Sequence, residues 1–132
     1  YLLQMEAVLS GRSPEPPVKH HKQGVMGKLT TRMMRPDKKH RIRWKMKTMP
    51  KMEPVASNMD TGAILREFER QQRQILAFAR KAEYINLSKA RIKTALGPLK
   101  FNFVDALAFI VAHTERHMQQ AINTKNTIHT VT

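Results

Sequence analysis

The sequence predicts an all-α protein, a single-domain antiparallel helical bundle, and three observations carry that prediction. Apolar residues recur at helical spacing over two long segments, 57–83 and 103–123. Strand-like alternation is confined to one short stretch, and no internal repeat recurs. The apolar content includes nine Met and one Trp, a composition that fills the irregular gaps between packed helices. At 132 residues the chain is long enough for a core of its own.

Tyr1 to Leu9 reads as helix from its first residue without a cap, the end of a bundle helix (1–10) whose beginning is expected upstream of Tyr1. Ser10-Gly11 stops it, with glycine expected in the left-handed position. Residues 12–56 form a basic, proline-containing crossover that opens on the stiff Ser13-Pro14-Glu15-Pro16-Pro17. Within it, Val25, Met26, Leu29 and Met33 predict a short helix over Gln23 to Arg35, ended by Pro36 and Asp37. Ile42, Trp44, Met46 and Thr48 alternate with Arg43, Lys45 and Lys47, the pattern of an extended arm with one packed face.

Residues 57–132 hold the two long helices and their connection. Ser57-Asn58-Met59-Asp60 is a capping-box pattern. The helix it opens runs to about Glu83, with Ile64, Leu65, Phe68, Ile75, Leu76, Ala79 and Ala82 on one stripe. Glu69 and Arg73 make an i,i+4 pair on its wet side. From Tyr84 to Lys100 the chain is a connection anchored by Ile85, Leu87, Ile92 and Leu96 and broken at Gly97-Pro98. Asn102, three before Asp105, caps a helix from Phe103 to about Asn123. Leu107, Ile110, Thr114, Met118 and Ala121 lie near one of its faces, with His113 and His117 bordering the core beside them.

The formal charge of +14 is uneven: residues 12–52 carry thirteen Lys/Arg against Glu15 and Asp37. A basic stretch of that size brings a nucleic acid or another anionic partner into question, with Lys38, Lys39, Arg41, Arg43 and Lys45 on phosphates and Trp44 stacking on a base. The competing reading is a solvated arm packed on the bundle, and no recognition-helix or RNA-module signature accompanies the charge. Without cysteine, disulfide frameworks, thiolate zinc sites and thiol nucleophiles are excluded, which fits a cytoplasmic protein. No apolar run reaches the roughly 18 residues of a membrane span.

His113 and His117, four apart on a helix, share a face with Cβ atoms about 5–6 Å apart. Two imidazoles so placed reach one divalent ion at about 2.0–2.1 Å each. The commoner reading of such a pair is two border histidines bonded to their neighbours. Glu115 points away to the surface. Arg116 is suited to an anionic substrate group or a salt bridge within the bundle, and Gln120 to an imidazole nitrogen or an inter-helix bond. His20, His21 and His40 lie in the basic crossover, a poor place to hold a cation.

Pro98 through Ile122, above all His113-Thr114-Glu115-Arg116-His117-Met118-Gln119-Gln120, resembles the last helix of the DinB-like superfamily, which carries a His-x-x-Arg-His-x-x-Gln signature there. Leu65 to Phe78, with Phe-x-x-Gln-Gln-Arg, is similar to that family's third bundle helix, and Lys45 to Pro54 to its long crossover. The resemblance implies an up-up-down-down four-helix bundle, often dimeric, with the first helix and the start of the second absent from this chain. It also implies a divalent metal, nickel or zinc, on three histidines, two matching His113 and His117 and the third upstream of Tyr1. Activities known in the family are metal-dependent hydrolysis and thiol transfer. The expectation is therefore a DinB-like metalloprotein of unassigned reaction, and the alternative a non-catalytic basic helical protein that binds nucleic acid or another anion.

Overall fold

The computed structural model describes residues 1–11, 22–44, 60–94 and 97–131. It is mostly helical: α1 (Leu2–Ser10), α2 (Val25–Met34), α3 (Thr61–Ala82) and α4 (Phe103–Val131), with a two-residue antiparallel hairpin, β1 (Ile92–Lys93) and β2 (Lys100–Phe101), before α4. Among the described residues, α2 packs on α4 and α1 on α3, while β1 touches α1 and β2 touches α4. The hairpin thus links two helix pairs.

The core gathers at that link. Met5 and Leu9 of α1, Ile92 of β1, Phe101 of β2 and Phe103 of α4 are essentially inaccessible to water. Burying side chains of this size contributes about 1.5–3 kcal/mol each. Phe78 and Ala82 close one side, and Ala106, Phe109 and Ala112 the other. Gln4 fastens α1 to the hairpin edge, its Oε1 accepting from the Lys93 amide at 2.8 Å. The turn passes through Gly97 at φ +71°, a conformation that favours glycine.

Several elements differ from the sequence expectation. Gly11 has φ −82° and is not left-handed. The cap of α3 is Asp60, whose side chain accepts from the Gly62 amide at 2.8 Å; Ser57 to Met59 lie outside the described residues. Helix α3 buries Phe78 and Ala82; of its predicted stripe, Ile75 and Ala79 are half-buried and Ile64, Leu65, Phe68 and Leu76 are exposed. The stripe is amphipathic, yet only the C-terminal end of α3 reaches the core. The Glu69–Arg73 pair forms at 3.7 Å.

The short helix expected over Gln23 to Arg35 is present as α2. Val25, Met26 and Leu29 face solvent, and the buried positions are Gly27, Thr31 and Met34. Proximity to α4 explains the choice: Gly27 and Thr31 are the small residues that let two backbones close up. A Cβ at Gly27 would stand 1.9 Å from Asp105 Oδ1. That carboxylate accepts from the Gly24 amide at 2.9 Å, and Asn102 Nδ2 donates to the Lys22 carbonyl at 3.2 Å. Asn102 Oδ1 also takes the Asp105 amide at 2.7 Å, so the expected cap of α4 is present and is at the same time the joint with α2. Helix α4 itself runs to Val131, eight residues past its expected end.

Gly27→Ala is therefore expected to destabilise the fold by about 1–3 kcal/mol through overpacking against Asp105. Helix propensity alone predicts a gain of about 1 kcal/mol from the same change. Equilibrium unfolding in denaturant decides between them by sign.

Candidate functional site

Helix α4 carries every site residue of the last third. His113 and His117 stand one turn apart with their Nε2 atoms 3.0 Å apart and their rings edge-on at 89°. Behind them the His113 ring stacks on Phe109, centroids 5.9 Å apart and planes 11° from parallel. Phe109 in turn touches Phe101 at 5.4 Å and Tyr1 at 5.9 Å. The buried stripe of α4 runs through Phe103, Ala106, Phe109, Ala112 and Arg116; of the residues expected near the core face, Leu107 and Ile110 are partly buried and pack against the core, while Met118 is exposed. Both histidines are exposed, and the His113 ring is backed by the core through Phe109.

Without a cation, the 3.0 Å separation is a hydrogen bond in which one neutral ring donates to the other's lone pair. The same separation is what two neighbouring donors span at about 2.0–2.1 Å from one ion. The pair thus fits half of a metal centre. Among the described residues no third His, Asp or Glu gathers with it, which leaves it short of the three ligands of a catalytic zinc. His40 is described but does not join the pair, and His20 and His21 lie outside the described residues.

Arg116 is 6% exposed and its Nη2 donates to the Trp44 carbonyl. Of the two roles open to it, the salt bridge is not seen among the described residues. Glu115, at the surface as expected, pairs instead with Arg35 Nε of α2 at 2.9 Å. Among the described residues no hydrogen bond joins Gln120 to either histidine. Gln120 and Arg116 instead border a cavity of about 550 Å³ that also takes in Lys39, His40 and Arg41. Sequence reading missed this cavity, because the loop and the helix that enclose it are more than seventy residues apart.

Lys38, Lys39, Arg41 and Arg43 are exposed, and Lys45 lies outside the described residues. Trp44, expected on the packed face of the arm, is 57% exposed: its main-chain carbonyl, not its ring, makes the contact with Arg116.

No protein-family model, curated protein or solved structure matches the chain.

Partial burial against Phe109 lowers the His113 pKa below its ordinary 6.5, and the charges of His117 and Arg116 lower it further. The folded chain therefore keeps His113 neutral where the unfolded chain protonates it. Stability from this group is complete above the unfolded value and is lost as pH falls through the lowered folded value. In an NMR titration of the imidazole protons, His113 is expected to titrate below 6.5 and to move part of the way back in His117→Ala. A wild-type midpoint at or above the ordinary value contradicts this environment.

Proposed function

We propose that this chain is a DinB-like helical protein in which His113 and His117 supply two ligands to a divalent ion, nickel or zinc. The observation that supports the reading most is the 3.0 Å approach of the two Nε2 atoms, with the His113 ring braced on Phe109. Locking the ring against an aromatic reduces the orientational freedom lost on coordination. A lowered pKa keeps a neutral, ligating imidazole available below the usual range.

Two imidazoles bind an ion without completing a catalytic centre. A hydrolase or thiol transferase reaction thus requires a further donor from outside the described residues, and no step is assigned to the pair alone. A homodimer and a cytoplasmic location belong to the same reading; among the described residues no helix is long and apolar enough to cross a membrane. The alternative of a nucleic-acid-binding protein draws on the exposure of Trp44 beside exposed cations, and lacks the geometric pairing that the histidines have.

Zinc and nickel titrations followed by calorimetry, with elemental analysis of the purified chain, test the proposal. Saturable binding is expected, weakened at least about tenfold in both His113→Ala and His117→Ala, since each removes one direct ligand. Binding that is absent, or that survives both substitutions unchanged, removes the metal reading.

A further inference from the structure

The cavity beside Arg116 has a lining unlike that of a gap left by packing. On one wall stand Lys39, His40 and Arg41, from the loop after α2. On the other stand Arg116, Gln120 and Asn123 of α4. No carboxylate is among the described lining residues. Its volume of about 550 Å³ lies within the roughly 300–1,000 Å³ of small-molecule sites.

Each wall is held in place. The loop is closed by Asp37, whose Oδ1 accepts from the amides of Lys39 and Arg41, both at 2.9 Å, and whose Oδ2 pairs with the Arg41 guanidinium at 3.0 Å. The Arg41 amide is the first of the contacts that hold the Asp37 carboxyl below its usual range. His40 sits at φ +57°, a left-handed conformation unfavourable for a non-glycine residue and sustained by these bonds. On the helix, the Gln119 amide donates to Asn123 Oδ1 at 2.8 Å, which leaves the Asn123 amide nitrogen as a donor.

Arg116 is the decisive residue. A guanidinium 6% exposed, with no carboxylate partner among the described residues and one donor committed to Trp44, is a costly feature in a fold stabilised by burial. Burial of a guanidinium is offset when an anion completes its hydrogen bonds. Arg116 and Lys39 together with the amides of Gln120 and Asn123 offer more N–H donors than the two oxygens of a carboxylate accept. A phosphate group, with three or more acceptor oxygens, matches the number.

We propose that this cavity binds a small phosphorylated molecule, its phosphate between Arg116 and Lys39 and its polar body against Gln120 and Asn123. The site stands apart from the histidine pair in both chemistry and lining, and it operates without a metal. Pyrophosphate is the probe, titrated by calorimetry in buffer stripped of metals on a chelating resin, with Trp44 fluorescence as a second readout.

Saturable binding of pyrophosphate is expected, with acetate at equal ionic strength giving none. Lys39→Ala and Arg116→Gln are each expected to weaken it at least about tenfold, the scale of a lost hydrogen bond to a charged group. Arg43→Ala, which changes an exposed cation outside the lining, is expected to leave it within about twofold. Should Arg116→Gln fail to fold, Lys39→Ala and Asn123→Ala, both on accessible positions, decide the matter alone. The proposal is overturned by three results: no saturable binding, an equal loss in Arg43→Ala, or displacement of pyrophosphate by a single-stranded oligonucleotide whose binding depends on Arg43 and Trp44. Because metals are excluded throughout, failure here leaves the histidine reading standing, and failure of zinc binding leaves this one standing.

Discussion

One buried carboxylate organises the described half of the molecule that carries both candidate sites. Asp105, 4% exposed, sits in the first turn of α4 and accepts from the Gly24 amide at the start of α2. Burial raises its pKa; the amides of Gly24 and Asn102 and the charges of Arg91 and Lys28 pull the other way. Room for the carboxylate comes from Gly27, where a Cβ would stand 1.9 Å from Oδ1. The joint sets α2 against α4, and α2 delivers the Asp37–Arg41 loop to the side of Arg116. Farther along the same two helices, the Arg35–Glu115 pair at 2.9 Å spans them at the surface, where such a pair is worth about 0–1 kcal/mol. The buried joint therefore dominates and the exposed pair follows.

Local chemistry was readable in the sequence where a residue acts on its own neighbourhood. The Asn102 cap, the helical character of 61–82 and 103–123, the stop at Pro36 and the i,i+4 placement of His113 and His117 all depend on residues a few positions apart. What failed depends on distant partners. In α2 the spacing of Val25, Met26 and Leu29 marked the helix but not its buried face: contact with α4 required small residues, and Gly27 and Thr31 went inside. In α4, Arg116 went inside, bonded to the Trp44 carbonyl, and Met118 stayed out. The two-residue strands flanking Gly97-Pro98 were too short for any period to show, whereas the longer alternation beginning at Ile42 places the Trp44 ring in the open.

Charge shows the same division. A run of thirteen basic residues in 12–52 reads from the sequence as one electrostatic feature. In the structure its described members have different occupations. Arg35 pairs with Glu115, Arg41 closes a loop on Asp37, and Lys39 turns toward the cavity with Arg116. The histidines, by contrast, are held by carbon: the stack on Phe109 ties an exposed polar pair to the aromatic cluster of Tyr1, Phe101 and Phe109. The histidine pair and the cavity beside Arg116, both on α4, are thus oriented by different forces, aromatic packing for the first and hydrogen bonding for the second.

Amide hydrogen exchange, comparing the wild-type chain with Asp105→Ala, tests most directly whether this joint carries the arrangement. The Gly24 amide and the amides of Val25–Met34, together with Lys39 and Arg41, are expected to exchange at least about tenfold faster in the variant, while β1 and β2 keep their protection. Unchanged protection across α2 and the loop would contradict the central role given to Asp105.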